Sequence, residues 1–351
     1  MSNITTIGID IAKNVFQIEG TDMHGNSLLT KGVKRDTLLR TLANLPISTI
    51  GMEACGSSHY WAREISQLGH EVKLMSPQYV KPFVKANKND KNDVKGIAEA
   101  VSRKSMRFVA IRSMEQQQIA TLHRMRGQLI AMKTQLSNHI RSLLAEYGIV
   151  ASVGTCALKH LLQEIEEGRH DEALGSSAKL FKLLSQELKG YEERKRFYDN
   201  EVKANLSQNE MGELLLSVPG VGSIIASALL YKITDINDFK HGYDLSAWFG
   251  LVPRQSSSGQ KQRLYNISKR GDRYIRALLI HGARSVIRAV VSQNKQASAY
   301  DQWIQHQLSS GKHVNKVVVA LANKNLRIIW GVLKNKQAFD PDYTKYYQGS
   351  A

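Results

Sequence analysis

The sequence predicts a fold that combines an α/β domain with all-α regions. Short apolar runs separated by turn residues fill positions 4 to about 105, which is typical of strands that alternate with helices. Longer apolar repeats at helical spacing follow up to residue 206, and the rest of the chain is helical and basic. We therefore predict three domains, at residues 1–112, 113–208 and 209–345.

The first domain opens with three predicted strands, at residues 6–9, 15–20 and 27–29. Turn residues at 21–26 join the last two, so these strands are expected to form an antiparallel meander. Helices predicted at 35–45 and 59–68 then alternate with strands at 48–53 and 71–75. Strands that alternate with helices are normally added in parallel to the same sheet.

The second domain is predicted to be a coiled coil of two long helices. Its apolar residues alternate steps of three and four, which is the spacing of a coiled-coil seam. Such helices pair within one chain or between subunits, and the glycine-containing segment 148–175 between them predicts turns. The first seam comprises Leu122, Met125, Leu129, Met132, Leu136 and Leu143, and the second Leu180, Leu184, Leu188, Tyr191, Tyr198 and Val202.

Composition excludes several classes of protein. The 351 residues include 48 lysines and arginines against 31 aspartates and glutamates, and the net charge of +17 points to a polyanionic partner. The two cysteines are too few for a disulfide framework, which favours a reducing compartment. No apolar run approaches the ~20 residues that a membrane span needs. We expect a soluble intracellular protein.

Four acidic residues of the first domain are candidate metal ligands. Asp10 and Glu53 each end an apolar strand, and as parallel neighbours those strands would lie about 4.8 Å apart. Asp90 and Asp93 are three residues apart at the start of a predicted helix, so they share one face. Carboxylates of this kind suit Mg²⁺ or Mn²⁺ in phosphoryl transfer. The simpler alternatives are turn formation by the strand-end acids and helix capping by Asp90 or Asp93.

The third domain contains Pro-Gly-Val-Gly at 219–222, between two predicted helices. This pattern predicts a helix-hairpin-helix. Gly220 and Gly222 would allow backbone N–H groups to approach a phosphate at the N-terminus of the second helix. The alternative is a plain connector between packed helices.

A basic segment with a serine-rich loop follows. Between Arg254 and Arg288 there are nine positively charged residues and one aspartate, which predicts phosphate contacts. Three consecutive serines, 256–258, precede Gly259, and composition alone predicts a loop that binds phosphate. A serine acting as a nucleophile would need neighbouring positive charge. The predicted phosphate ligands are Arg254, Lys261, Arg263, Lys269, Arg270 and Arg273.

Together these motifs resemble the DEDD transposases of bacterial insertion sequences, the one-ten family and its eleven-eleven branch. The C-terminal match consists of Gly-Leu-x-Pro at 250–253, Ser-Gly at 258–259 and Ile-Ser-Lys-Arg-Gly at 267–271. The resemblance covers nearly the whole chain and implies a RuvC-like domain of RNase H fold, a coiled-coil insertion and a C-terminal transposase domain. It also implies that Ser258 forms a covalent link to DNA, with Ser256 and Ser257 as alternative registers, beside an acid site contributed by a different subunit.

The function implied by this resemblance is site-specific recombination that excises and integrates a mobile element. The implied cofactor is Mg²⁺ or Mn²⁺, and the implied partners are the DNA of the element ends and target, a noncoding bridge RNA that guides the protein, and further copies of the chain in a dimer or tetramer. The implied location is the bacterial cytoplasm. Two alternatives stay open: a RuvC-like structure-specific nuclease that cuts by hydrolysis, and a non-catalytic nucleic-acid-binding scaffold.

Overall fold

The computed structural model describes residues 3–84, 89–258, 261–292 and 298–342, without the side chains of residues 90, 257, 258, 261 and 262. The chain divides into two compact units, Met1–Glu115 and Gln116–Ala351. Separate hydrophobic cores lie within the two units. Among the helices of the described ranges, none combines the length and apolar character needed to cross a membrane.

In its described residues, the first unit contains a six-stranded sheet and four α-helices. The strands are β1 (Thr6–Asp10), β2 (Val15–Thr21), β3 (Ser27–Lys34), β4 (Thr49–Glu53), β5 (Glu71–Met75) and β6 (Phe108–Val109). The helices are α1 (Leu38–Ala43), α2 (Ser58–Ser66), α3 (Pro77–Val80) and α4 (Asp90–Val101).

The sheet has the strand order β3-β2-β1-β4-β5-β6. The antiparallel meander of β1, β2 and β3 is confirmed, and so is the parallel addition of β4 and β5. The short edge strand β6 pairs antiparallel with β5 and was not predicted. Its two residues carry too little pattern to be recognised from sequence alone.

Two glycines allow α4 to lie directly on the sheet. A Cβ atom added to Gly8 would stand 2.6 Å from the Val94 carbonyl oxygen and 2.7 Å from the Ala98 nitrogen. A Cβ added to Gly51 would stand 2.7 Å from Cβ of Val101. Gly8 and Gly51 are opposite each other on β1 and β4. The helix that begins at the two predicted aspartates is therefore held across these two strands.

The second unit is mainly helical, with one two-stranded sheet in its described residues. Its helices are α5 (Met114–Ala145), which begins in the first unit, α6 (Thr155–Glu166), α7 (Asp171–Leu174), α8 (Ala178–Leu206), α9 (Glu210–Leu216), α10 (Ser223–Lys232), α11 (Gly242–Trp248), α12 (Arg273–Ser292), α13 (Ala299–Ser309) and α14 (Val314–Asn335). The strands are β7 (Pro253–Ser258) and β8 (Lys261–Ile267).

Some residues of the predicted coiled-coil seam are buried within the chain, and others are exposed. Met125 is 48% exposed and Met132 40% exposed on α5, and Leu180 is 54% exposed on α8. The physical reason is α6, an amphipathic helix in the segment that was predicted to form turns. Its buried leucines pack with residues of α5 and α8 such as Ile140 and Leu188, so the long helices bury the faces that meet α6.

A buried polar network joins four helices of the second unit. His123 is 1% exposed, and its two ring nitrogens lie 3.1 Å from the Tyr274 hydroxyl and 3.0 Å from the Ser227 hydroxyl. Burial, followed by the charge of Arg126, lowers the pKa of His123 to about 4, so the ring is neutral near pH 7. Arg126 in turn donates to Asp199 over 2.6 Å. The network ties α5 and α8 to the start of α12.

Replacing Gly8 by alanine tests the close approach of α4. We expect Gly8→Ala to lower the free energy of unfolding by about 2–3 kcal/mol, because the new methyl group meets backbone atoms that cannot move aside. Urea denaturation of Gly8→Ala and Gly56→Ala gives the comparison, since a Cβ at Gly56 has no neighbour within 4 Å. Equal stability of the two variants would show that the approach is not tight.

Candidate functional site

Asp10 and Glu53 lie at the carboxyl ends of two adjacent parallel strands. Ile9 of β1 is opposite Met52 of β4, so the next residue of each strand continues at the same edge of the sheet. Both acidic residues are half-buried. The prediction that their two strands are parallel neighbours is confirmed, and the two carboxylates share one edge of the sheet.

The thiol of Cys55 lies within the field of both carboxylates. Partial burial raises the pKa of the Cys55 thiol, and the negative charges of Glu53 and Asp10 raise it further. Electrostatic effects of this kind act over short distances in a protein. The charges of both carboxylates therefore act on one thiol.

Helix α4 carries Asp93 on the face that is directed to the same edge. Ile97 and Ala100 follow Asp93 by four and seven residues, so the three share a helix face. Ile97 and Ala100 are buried in a cluster with Met75, the last residue of β5. This face of α4 is therefore directed to the carboxyl ends of the parallel strands, where Asp10 lies.

The N-cap of α4 is Asn89. Its side-chain oxygen accepts a hydrogen bond of 2.8 Å from the backbone N–H of Asn92. Asp93 lies one turn inside the helix, so the alternative that it acts as the cap is wrong. Asp90 is the first residue of α4, and its side chain is outside the described part of the chain.

The donor chemistry at this edge suits a hard divalent cation. Within the described side chains, which do not include that of Asp90, no group of three aspartate, glutamate, histidine or cysteine side chains could hold a metal ion. Mg²⁺ is usually bound through one or two carboxylates, with water and substrate phosphates completing its coordination. Asp10 and Glu53 have the chemistry for such a site.

The serine-rich segment is a β-hairpin, so the prediction of a loop is wrong. Strands β7 and β8 pair antiparallel, with Ser256 opposite Arg263 and Ser258 opposite Lys261. Ser256 and Arg263 are exposed. The side chains of Ser257, Ser258 and Lys261, and the predicted motif residue Gly259, lie outside the described part of the chain.

Two glycines close the base of the hairpin. Gly250 has a φ of +73° and Gly271 a φ of +80°. A Cβ on Gly250 would stand 2.0 Å from the Arg270 carbonyl oxygen, and one on Gly271 would stand 2.0 Å from the Trp248 carbonyl oxygen. The Gly-Leu-x-Pro and Ile-Ser-Lys-Arg-Gly stretches therefore lie against each other, backbone to backbone.

Arg276 of α12 ties the two sides of this base together. Its guanidinium donates to the carbonyl oxygens of Phe249, at 3.2 Å, and Arg270, at 3.0 Å. Arg276 is 8% exposed, so one of the nine positive charges of this segment is structural. Sequence could not show this, because the partners become neighbours only in the folded chain. Asp272 accepts hydrogen bonds from two backbone N–H groups at the start of α12. Its position directly before a helix is the sequence signal for this capping role.

Exposed positive charge surrounds the hairpin base. The exposed residues come from both strands, from the Ile-Ser-Lys-Arg-Gly stretch and from the start of α12. Contacts from such side chains to phosphates position nucleic acid without reading its sequence. They are Arg254, Arg263, Lys269, Arg270 and Arg273.

The two glycines at 219–222 have different surroundings. Gly220, with φ +81°, approaches α12 so closely that a Cβ would stand 2.7 Å from the Gly282 carbonyl oxygen. Gly222 is exposed, directly precedes α10 and has no atom within 4 Å of an added Cβ. The two flanking helices are confirmed. Gly220 serves helix packing, and the open N-terminus of α10 begins at Gly222.

Comparison with known proteins gives the family. Residues 7–149 match a family model of DEDD transposases of the IS110 type, described as "Transposase", and residues 212–302 match the "Transposase IS116/IS110/IS902 family". The chain is 42% identical over 340 residues to the "Probable family 20 transposase" of Pseudomonas aeruginosa, an alignment that covers 97% of this chain and 99% of the relative. It belongs to the IS110/IS1111 family of transposases.

Two insertion-sequence transposases show similar identity. The transposase of IS1111A from Coxiella burnetii is 41% identical over 97% of this chain and 92% of the relative. The transposase of IS1328 from Yersinia enterocolitica is 40% identical over 97% of this chain and 99% of the relative. The resemblance deduced from the motifs is confirmed, and the chain is a transposase, an enzyme that cleaves DNA and transfers strands.

The role of Arg276 in this transposase is testable by hydrogen exchange. We expect Arg276→Met to speed amide exchange in β7 and β8 about tenfold, because two carbonyls lose their donor at a cost of about 1–3 kcal/mol. Arg288→Met, an exposed change on the same helix, is the control and should leave the hairpin unchanged. Equal amide exchange rates of β7 and β8 in the two variants would show that Arg276 does not stabilise the hairpin.

Proposed function

We propose that this transposase recombines DNA at specific sites, excising and integrating an insertion sequence through a metal-binding acid site and a serine nucleophile. The observation that carries the proposal is the placement of Asp10 and Glu53 on adjacent parallel strand ends. Asp93, on the face of α4 directed to that edge, supports it. The family match across residues 7–149 supports a RuvC-like domain of RNase H fold here.

The acid site is proposed to hold Mg²⁺, or Mn²⁺, through Asp10, Glu53, Asp90 and Asp93. When bound, the cation supplies positive charge to the negative charge that develops on phosphate oxygens. Burial, followed by the charges of Glu53 and Asp10, raises the pKa of the Cys55 thiol, so the thiolate is disfavoured beside the proposed site.

Ser258 is the proposed nucleophile, with Ser256 and Ser257 as the alternative registers. Its oxygen would bond to the phosphorus while the ester oxygen of the DNA strand leaves as a hydroxyl group. One phosphodiester bond replaces another, so the strands can be rejoined without ATP. The exposed arginines and Lys269 around the hairpin base, together with Lys261, would bind the flanking phosphates.

Target choice is proposed to depend on a noncoding bridge RNA. Base pairing would read the element ends and the target, while the exposed cations and the N-terminus of α10 at Gly222 bind backbones. Exposed apolar residues of the long helices, such as Met125 and Leu180, support pairing between subunits into a dimer or tetramer. The proposed location is the bacterial cytoplasm.

Strand exchange by an acid variant tests this function. The protein, its guide RNA and two DNA partners are incubated, and joined recombinants and a protein–DNA adduct are sought on denaturing gels. We expect Asp10→Asn to lower recombinant yield at least about a hundredfold, because charge stabilisation at the phosphate is lost. Nucleic-acid binding should largely persist. Asp238→Asn, an exposed aspartate on the second unit, is the matched control.

Each rival function gives a different product. Cut DNA without joined strands or an adduct would identify a hydrolytic nuclease. Full recombination by Asp10→Asn would remove the acid site from the mechanism. Separate Ser256→Ala, Ser257→Ala and Ser258→Ala variants identify the serine, and we expect the adduct to be lost in Ser258→Ala alone.

A further inference from the structure

A cleft of about 640 Å³ lies in the first unit, on the side of the sheet that α1 and α2 cover. Its lining includes Val15, at the start of β2, and Tyr60 and Trp61 of α2. Because β2 runs antiparallel to β1, Val15 lies beyond the carboxyl end of β1, where Asp10 is. Helix α2 follows Glu53 after a short connection. The segments that follow the two acidic strands thus form one side of the cleft, and residues 34–39, at the end of β3 and the start of α1, form the other.

Trp61 brings an unsatisfied donor to this cleft. Its side chain is 4% exposed, and its indole nitrogen is buried without a hydrogen-bond partner among the described residues. A buried N–H group that lacks an acceptor is destabilising, and most such groups in proteins have one. The guanidinium of Arg35 lies 5.0 Å from the centre of the indole ring and covers it. Arg35 also donates to the Lys13 carbonyl oxygen over 3.4 Å, so the cation is held over the ring at the rim of the cleft.

The other groups of the cleft suit a nucleotide. Tyr60 is 44% exposed and packs edge-on against Trp61, with ring centres 5.1 Å apart, so part of its ring is free to stack on a base. Val15, 46% exposed, adds apolar surface. Lys34 and Arg35 are exposed cations at the rim, where a phosphate would lie.

The chemical groups that line the cleft favour an unpaired base over a duplex. Stacking on Tyr60 and an acceptor for the Trp61 N–H both require a base edge and face that Watson–Crick pairing and neighbouring bases would otherwise cover. The exposed carboxylate of Asp36 also lines the cleft and would repel a second phosphate. One nucleotide, with its phosphate directed to Lys34 and Arg35, satisfies these groups.

We propose that this cleft binds one unpaired nucleotide of the DNA on which the protein acts. The proposal rests on the proposed function, because that function brings DNA to the first unit. The nucleotide would stack on Tyr60 and accept a hydrogen bond from the indole of Trp61.

Single-strand binding by the full-length protein tests the cleft. The probe is a short oligothymidylate, whose carbonyl oxygens can accept from an indole, with a blunt DNA duplex and an oligouridylate as parallel probes. We expect Tyr60→Ala to weaken oligothymidylate binding about tenfold and to leave duplex binding unchanged, because only the stacking surface is lost. Tyr60→Phe should bind like the wild type. Tyr79→Ala removes another tyrosine, 40% exposed, from the same unit and should have no effect.

Tryptophan fluorescence gives a second readout. Part of the quenching caused by oligothymidylate should disappear in Trp61→Phe, because the bound base lies against that indole. Unchanged oligothymidylate affinity in Tyr60→Ala, an equal loss on the duplex, a loss confined to oligouridylate, or identical quenching in Trp61→Phe would each overturn the proposal. Failure of the proposed function is recognised separately, because Asp10→Asn would then retain strand exchange whatever Tyr60→Ala does to binding.

Discussion

The proposed acid site depends on the direct contact of α4 with the sheet at Gly8 and Gly51. Side chains at these positions would push the helix off the sheet and carry Asp93 away from the strand ends. The strands themselves bring Asp10 and Glu53 together, since parallel neighbours in register end at the same edge. Gly8 and Gly51 thus determine how closely α4, which carries Asp93, approaches the two strands that end in Asp10 and Glu53.

The hairpin of the second unit depends on the same kind of constraint. Gly250 and Gly271 let two backbone segments touch, and the buried Arg276 holds their carbonyl groups together. The arginines and lysine around the hairpin base are exposed to solvent. The strands that carry the serines start from a base that these backbone contacts hold in place. In both places, a rigid backbone contact supports reactive or binding side chains, and it is the glycines and one arginine that make the contact.

Sequence predicted the elements whose pattern is local. The meander, the parallel strands that end in Asp10 and Glu53, and the helix from Asp90 were all readable from apolar runs and turn residues. Seam spacing alone does not distinguish the exposed Met125 from the buried Leu129, because burial within the chain depends on where α6 packs. The serine hairpin was taken for a loop because its strands are polar and exposed. Arg276 acquires its role only from partners distant in sequence, and Trp61 is recognisable only from its burial.

Cation binding by the isolated full-length protein tests the account most directly, since it reports on the carboxylates without DNA or RNA. Mn²⁺ can be titrated and its free fraction followed by electron paramagnetic resonance, with Glu146→Gln, an exposed residue, as the control. If Asp10 and Glu53 form one site, Asp10→Asn and Glu53→Gln should each weaken Mn²⁺ binding at least about tenfold, and Glu146→Gln should not. Unchanged binding in both acid variants would contradict the proposal that these strand ends hold the metal.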